Sequence, residues 1–419
     1  MEPAVSKLKL AIWLYFILLM LEGALRKWIF PSLADPILVI RDPLVLWILI
    51  KAWQHGLINF NYYVISMIFI GIVGIYTAYF LGHGNIAVAL YGARILLLHF
   101  PLIFVIGKIC NIEDAIKIGK VTLFIAIPMT ILIILQFYSP QTALINITVG
   151  GEAGGGFSGV GKVFRPPGIF SFINGNALFY SFTACFVLYF WFNYKTINRL
   201  LLVLATLSLL LAIPFSISRA LLFQVIVSMI FAAIAIAMKP KYLTGMLFVI
   251  GGIVISFLLL GSSSFFTTAT EVFTQRLTSA NQVEGGMSGV ILNRFLGGML
   301  DAIYSSSNQP LFGYGIGMGT NAGSMILKGG RFFLISEGEW GRILGELGPI
   351  MGMGVIILRI KLALHVSFKS YSSLLTGNLM PWMLLSFGVL AIAQGSWSQP
   401  TSLGFCTLIS GLIIASLKD

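Results

Sequence analysis

The chain has 419 residues, of which 58% are hydrophobic and only 10% are charged, and its mean hydropathy is +0.96. An ordinary soluble domain carries about 25% charged residues, so this composition excludes a water-soluble fold. The formal net charge of +12 does not indicate a nucleic-acid partner, because Lys and Arg accumulate in the short cytoplasmic loops of multi-pass membrane proteins.

The residues that could bind a metal or form a disulfide are not arranged for either purpose. Cys110, Cys185 and Cys406 fall within or at the ends of apolar runs, and no two of them form a CxxC pair. The histidines show no HExxH or similar zinc-binding spacing. We therefore expect no disulfide framework, no cofactor and chemistry without a metal.

The N-terminal segment imitates a signal peptide, because Lys7 and Lys9 precede an apolar run from Leu10 to Leu21. No small-residue cleavage site follows, and more apolar runs do, so we interpret this run as the first membrane helix. A membrane helix needs about 20 mostly apolar residues. Residues 1–419 are then a single polytopic domain of about twelve membrane helices, predicted at 11–25, 36–52, 62–81, 86–107, 121–138, 169–192, 200–216, 219–238, 242–260, 345–360, 376–393 and 400–417.

The distribution of basic residues predicts how these helices are oriented. With the N-terminus inside, the inner segments hold 14 bases and 4 acids, whereas the outer segments hold 12 bases and 10 acids. This positive-inside pattern places both termini in the cytoplasm. The inner bases are 12 Lys and 2 Arg, namely Arg199 and Arg359, while the outer bases are 9 Arg and 3 Lys. Arginine binds phosphate oxygens at two points, so the outer face favours a phosphate-bearing partner; the alternative is chance combined with interfacial snorkelling.

Two outer segments are longer than simple connections. Residues 139–168 contain a glycine tract typical of a mobile strap. Residues 261–344 form a large loop, and connections longer than about 15 residues usually carry function or their own structure. Within it, residues 290–304 have the apolar periodicity of an amphipathic helix, with Arg294 and Asp301 on a second face.

Charged residues inside apolar runs are costly and therefore informative. Glu22 and Arg26 are four residues apart in the first helix, which favours a mutual ion pair. Arg41 and Asp42 favour structural anchoring at the outer end of the second helix. Arg94 lies within the fourth helix, where it has either an anion to bind or a structural partner.

Arg219 opens the eighth predicted helix after a short outer turn. A helix N-terminus already attracts anions, so we favour phosphate binding there over interfacial anchoring. The segment 312–319 alternates glycine with larger residues. It predicts a tight turn with close backbone approach, or alternatively a backbone nest that binds an anion.

Glu337 and Glu339 stand just before the tenth predicted helix. A carboxylate held near apolar surface can act as a general base on a hydroxyl group. The alternatives are a solvated loop end, or ion pairing of these carboxylates with Arg342 or Arg331.

The order of several motifs resembles the O-antigen polymerase and O-antigen ligase superfamily of bacterial membrane glycosyltransferases. The resemblance covers about residues 160 to 355, and each motif alone is degenerate. Four segments carry it: Phe164-Arg165-Pro166-Pro167-Gly168-Ile169-Phe170 with Asn174; Ser218-Arg219-Ala220; Arg294 followed by Pro310-Leu311-Phe312-Gly313-Tyr314-Gly315; and Glu337 through Glu346-Leu347-Gly348-Pro349-Ile350-Met351-Gly352.

One departure from the family pattern bears on the reaction. Ligases of the superfamily typically carry a His-Asn pair nine residues before the glutamate of a Glu-x-Gly, and Glu337 occupies that position relative to Glu346. Residues 261–344 contain no histidine. Either a glutamate replaces the histidine or the chain belongs to a polymerase-like branch, so a polymerase is favoured over a ligase.

The resemblance implies an all-α, GT-C-like membrane fold and inverting, metal-independent transfer of a glycan from an undecaprenyl-diphosphate donor to an acceptor glycan or glycolipid. The site would lie outside the bacterial inner membrane. On this basis Glu337, with Glu339 as second choice, is the expected catalytic base. Arginines are expected to bind the donor diphosphate, with two more in support: Arg165, Arg219 and Arg294 for the diphosphate, Arg94 and Arg342 in the supporting role. A transporter or flippase of lipid-linked oligosaccharide is the alternative; it would show midplane charges, discontinuous helices and short loops.

Overall fold

The computed structural model describes residues 2–154, 163–248, 251–252, 263–284, 298–305, 309–330, 334–336 and 338–418. Throughout these residues the regular structure is helical and no β-strand occurs. The helices are α1 Glu2–Ala24, α2 Ala34–Ile37, α3 Arg41–Gln54, α4 Tyr62–Phe80, α5 Ile86–Arg94, α6 Phe100–Ile109, α7 Ile112–Tyr138, α8 Ile173–Phe192, α9 Arg199–Phe215, α10 Arg219–Met238, α11 Ser264–Glu284, α12 Gly298–Ser305, α13 Asn321–Lys328, α14 Glu339–Thr376, α15 Met380–Gln394 and α16 Pro400–Ser416.

Helix lengths and composition confirm the coarse prediction of an α-helical membrane protein. Among the described residues, seven helical stretches are long and apolar enough to cross a bilayer, and three shorter apolar helices accompany them, α9, α15 and α16. The predicted span 36–52 corresponds mainly to α3, which has only 14 residues. Most of the predicted span 242–260 and residues 290–297 of the predicted amphipathic helix lie outside the described residues.

Two turns of π-helix interrupt the membrane helices. Leu25–Ile29 continues α1, and Ile95–His99 joins α5 to α6. Each one therefore alters the helical register inside a long apolar stretch.

Contacts between helix termini define two ends of the bundle. At one end, which we call the lysine end, Lys9 pairs with Asp114 at 2.6 Å, and Lys418 Nζ donates to the carbonyl oxygens of Lys108 and Cys110. The opposite end, which we call the arginine end, joins other parts of the chain. There Arg26 donates to Ser171 and Arg41 donates to the carbonyl of Pro400. The helices therefore alternate in direction as the apolar runs predict.

Helix α8 occupies the centre of the bundle. In its most apolar window 83% of the residues are buried, against 22% in that of α10, so α10 lies at the periphery. Gly119 of α7 allows Phe186 of α8 to pack closely, because a Cβ at Gly119 would overlap the phenyl ring. Aromatic packing thus fixes the centre around which the arginine end is built.

Helix α14 is broken at Gly348, and this break makes a hairpin. Gly348 has φ 74° and ψ 174°, which are not helical angles. A Cβ built on Gly352 would lie 2.9 Å from Cα of Leu344, and Glu339 contacts Arg359. In a straight helix these last two residues, twenty apart, would be separated by about 30 Å. The predicted single span at 345–360 is therefore wrong in its shape: residues 339–347 fold back against the longer half of α14.

Candidate functional site

Three arginines from distant parts of the sequence converge at the arginine end. Arg165 lies in the segment before α8, Arg219 begins α10, and Arg276 belongs to α11. Burial, followed by repulsion from Arg276 and Arg219, lowers the pKa of Arg165 to about 10. The Nε atom of Arg165 is buried and has no hydrogen-bond partner among the described residues. We call these three residues the arginine cluster.

A strained turn presents Arg219 to the cluster. Ser218 caps α10 by accepting a hydrogen bond from the backbone N–H of Leu221, as expected for a helix that begins at Arg219. Ile217, directly before it, is buried and has φ 50°. A β-branched residue in this left-handed region costs on the order of 1–3 kcal/mol, and such strain is concentrated at functional sites.

The segment that carries Arg165 is fixed to two membrane helices through Gly168. The backbone N–H of Gly168 donates to Gln136 Oε1 at 2.8 Å, and its carbonyl accepts from Gln136 Nε2 at 3.2 Å. The same carbonyl accepts from Lys27 Nζ at 2.6 Å. Arg165 is therefore carried by a segment that is held in place before any ligand binds.

Aromatic contacts fix the start of α11. The ring of Phe265 packs against Tyr138 and Phe215, with ring centroids 5.3 and 5.1 Å away. The hydroxyl of Tyr138 also donates to the carbonyl of Phe265 at 2.5 Å. The start of α11 is thereby seated on the ends of α7 and α9, at the same end of the bundle as Arg219.

A second group of charges lies inside the bundle at the α14 hairpin. Both Glu339 and Glu346 bind Arg342: Nη2 and Nε of Arg342 meet Glu339 at 2.9 and 3.1 Å, and Nη1 meets Glu346. Arg359 Nη1 reaches Oε1 of Glu339 at 2.9 Å. We call these four buried residues the interior network. Its two acids and two bases balance each other in charge.

The interior network changes how two predicted site residues are interpreted. Both carboxylate oxygens of Glu339 accept hydrogen bonds from guanidinium groups, so Glu339 acts as an ion-pair partner in this arrangement. This is the alternative in which it pairs with Arg342. Arg342 in turn is bound by carboxylates of its own helix. Glu337 and Arg294 lie outside the described residues, and their roles stay predictions.

The glycine-rich segment 312–319 closes the hairpin from one side. Gly313, Gly315 and Gly317 all have positive φ, and Gly92 lies so close to Gly317 that a Cβ would overlap its backbone. The backbone N–H of Gly319 donates to Glu346 Oε1 at 2.8 Å. The segment thus makes the close backbone approach that its pattern predicts, and the anion it binds here is a carboxylate of the chain itself.

A small cavity lies between the glycine-rich segment and the interior network. It is lined by backbone of Gly92, by apolar side chains of α5 and α14, and by all four charged residues of the network. It has room for a water molecule or so. A sugar diphosphate does not fit there, so the arginine cluster is the better place for such a ligand.

Another buried ionic group connects α1, α3 and α5. Arg94 Nη1 binds both oxygens of Asp42 at 3.0 Å, which gives Arg94 the structural partner that the sequence left open. Glu22 lies 3.7 Å from Arg26, as predicted, but only 3.0 Å from Arg41. Arg41 and Asp42 thus serve as anchors between helices.

No family model, curated protein or solved structure significantly matches this chain. The site must accordingly be interpreted from its own geometry. The structure brings Arg165 and Arg219 together, as the prediction requires, and it places Arg94 and Arg342 in separate ionic groups.

Sequence reasoning missed two residues. Arg276 was recognised only as one of the charges in residues 261–344, since nothing local shows that α11 brings it to Arg165. Arg359 was assigned to the inner bases because Lys361 follows it closely. That assignment is wrong, since Arg359 is buried beside Glu339. A carboxylate and an arginine twenty residues apart, with a Gly-Pro between them, were the available signal.

Proposed function

We propose that this chain is a membrane glycosyltransferase that uses a polyprenyl-diphosphate glycan donor, of the undecaprenyl-diphosphate class, in O-antigen or exopolysaccharide assembly. The observation that carries the proposal is the arginine cluster. Three guanidinium groups repel one another, and a diphosphate offsets that repulsion while accepting two-point hydrogen bonds from each fork. A polymerase is favoured over a ligase because residues 261–344 contain no histidine.

In the proposed reaction, an acceptor hydroxyl oxygen attacks the anomeric carbon of the donor glycan. A new carbon–oxygen bond forms as the bond to the diphosphate oxygen breaks, with inversion at that carbon. Undecaprenyl diphosphate leaves, bound by Arg165, Arg219 and Arg276, with Arg294 as a further candidate. The hydroxyl proton passes to Glu337. The donor itself contains a good leaving group, so neither a nucleotide nor a metal takes part.

The membrane orientation belongs to the same proposal. Lysines at one end of the bundle and arginines at the other support a cytoplasmic lysine end by the positive-inside pattern. The arginine end then faces away from the cytoplasm of a bacterial inner membrane, where a flipped lipid-linked donor presents its glycan. The GT-C-like arrangement is part of this proposal.

Purified full-length protein in lipid nanodiscs tests the proposal. With an undecaprenyl-diphosphate glycan and acceptor, but no nucleotide or divalent metal, we expect a lengthened or transferred glycan and released undecaprenyl diphosphate. Arg219→Lys keeps the charge but loses two-point contact, so its turnover should fall by about 10-fold or more. The matched control is Arg199→Lys, an exposed arginine at the lysine end, which should keep wild-type turnover.

The competing function is transport of a lipid-linked oligosaccharide. It is favoured by the helix break at Gly348 and by the charges of the interior network, because transporters use discontinuous helices and midplane charges. The same nanodisc preparation separates the two functions. Movement of the donor across the bilayer with its glycan unchanged would establish transport and remove the glycosyltransferase proposal.

A further inference from the structure

Both π-helical turns of the described chain flank the same group of buried charges. One turn follows Glu22 closely in α1, and the other directly follows Arg94 at the end of α5. Arg41 and Asp42, at the start of α3, complete the group. We call these four residues the α1–α3–α5 cluster. π-Helical turns are rare and occur frequently at functional sites, because the additional residue redirects neighbouring side chains.

The members of the cluster are buried and held by one another. Only 2% of the Glu22 side chain, 3% of that of Arg41 and 6% of that of Arg94 is exposed. Besides Arg94, His99 contacts Asp42, with its Nε2 at 2.9 Å from Oδ1. The side chain of Asp42 keeps 16% of its surface exposed. The cluster is therefore rigid, and a small solute can reach it beside Asp42.

Several polar atoms of this cluster have no hydrogen-bond partner among the described residues. They are Nε and Nη2 of Arg94, Nε of Arg41 and Oε1 of Glu22. A buried donor without an acceptor costs about 1–3 kcal/mol. Three such donor atoms in one group call for an acceptor that the described protein atoms do not supply.

The two atoms of Arg94 are on the edge of the guanidinium that recognises anions. Its Nε–H and Nη2–H bonds point the same way, and this geometry matches the two oxygens of a carboxylate or a phosphate group. Nη1 is already taken by Asp42, and the ring of Tyr91 lies 4.1 Å from the guanidinium carbon, over its face. The Nε–Nη2 edge is thus the part of Arg94 open to a ligand.

We infer that the α1–α3–α5 cluster binds a singly charged oxyanion, a carboxylate or a phosphodiester, through the Nε–Nη2 edge of Arg94. A single charge fits best because Asp42 and Glu22 lie close by and would repel a dianion. This site is separate from the arginine cluster, since the charges that act on Arg165 are Arg276 and Arg219. The inference therefore stands independently of the proposed glycan transfer.

Thermal unfolding of the full-length protein in a neutral maltoside detergent tests this inference. Sodium acetate and dimethyl phosphate are titrated separately at constant ionic strength maintained with sodium chloride. We expect a saturable rise of a few degrees in the unfolding midpoint, because a ligand of the folded state stabilises it. Arg94→Lys keeps the charge but loses the two-point edge, so the apparent affinity should fall by about 10-fold.

A second variant strengthens the test by predicting a gain. Asp42→Asn removes the nearest negative charge, so it should raise the apparent affinity for acetate by roughly 10-fold. Because this variant keeps Arg94, it remains informative even if Arg94→Lys does not fold. Arg199→Lys, at the lysine end, is the matched control and should leave the titration unchanged.

The source of the oxyanion is distinguished with short-chain phosphatidylglycerol. If a lipid headgroup is the natural occupant, this lipid should act at far lower concentration than dimethyl phosphate and should lose its effect in Arg94→Lys. Equal responses to acetate and dimethyl phosphate instead assign the site to a small free anion. A non-saturable response, or one that Arg94→Lys and Asp42→Asn leave unchanged, means that water alone fills the edge and overturns the inference.

Discussion

The Arg359→Met substitution tests whether the interior network holds the α14 hairpin. The side chain of Arg359 is wholly buried, and Nη1 lies 2.9 Å from Glu339. Its Nε and Nη2 each donate at 2.8 Å to a carbonyl, of Ile392 and Gly395 respectively, and its guanidinium carbon lies 3.9 Å from the ring centroid of Trp397. Methionine keeps much of the apolar volume but removes all of these donors, and Glu339 then depends on Arg342 alone.

The structure sets the size of the expected effect. Removing one partner of a buried ion pair costs about 3–5 kcal/mol, because it leaves a buried charge uncompensated. Glu339 retains Arg342, so we expect the lower part of that range, about 3 kcal/mol. The control is Lys9→Met. Lys9 pairs with Asp114 at only 2.6 Å, but 31% of its side chain is exposed, and exposed pairs contribute about 0–1 kcal/mol. Burial, and not distance, ranks the two substitutions.

The assay is reversible unfolding of the purified protein in mixed micelles of maltoside and sodium dodecyl sulfate. Arg359→Met, Glu339→Gln and the double variant form a thermodynamic cycle, in which the double variant should be more stable than the sum predicts by about 2 kcal/mol. If Arg359→Met and Lys9→Met destabilise equally, or if the cycle is additive, the hairpin does not depend on this ion pair and the reasoning is refuted.

Three further substitutions test other parts of the structure. Gly348→Ala should destabilise the protein by more than about 3 kcal/mol, since its Cβ would overlap backbone at a positive φ, whereas Gly377→Ala, at φ 110° with open space around it, should cost about 1 kcal/mol in the same unfolding assay; similar losses would contradict the hairpin geometry. Arg165→Gln should stabilise the ligand-free protein by roughly 1 kcal/mol, because it removes a buried, repelled charge, while abolishing donor binding; a loss of stability would show that Arg165 is well compensated. Cysteine at position 328 should react with an impermeant thiol reagent from outside the cell and cysteine at 195 only after permeabilisation, with little background because Cys110, Cys185 and Cys406 are buried; the reverse pattern would invert the orientation.

The expectation of an amphipathic helix in the large outer segment was met only in part by what is described. Helix α12 covers Gly298–Ser305, and the predicted N-terminal part with Arg294 lies outside the described residues. The same holds for Glu337, so the expected catalytic base rests on sequence spacing alone. The proposed chemistry is therefore carried at its diphosphate end by geometry and at its base by the sequence.

Local patterns were sufficient for several features of this protein. Apolar runs of about 20 residues require helices in a bilayer, and the described helices follow them. Ser218 before Arg219 predicts where α10 begins, because a cap and the helix it starts are neighbours in sequence. The concentration of lysine at one end was visible in the same way, since loop charges need no tertiary partner.

Tertiary structure decided where the buried charges go. Arg41 meets a carbonyl 359 positions away, and Arg359 meets Glu339 only because the chain reverses at Gly348. The cost of an unpaired charge in an apolar interior forces such residues to find partners, but many partners satisfy that requirement equally well on paper. Periodicity placed each helix, and the long-range packing of those helices alone determined that Arg276 joins Arg165 and Arg219 and that Arg94 presents its open edge elsewhere.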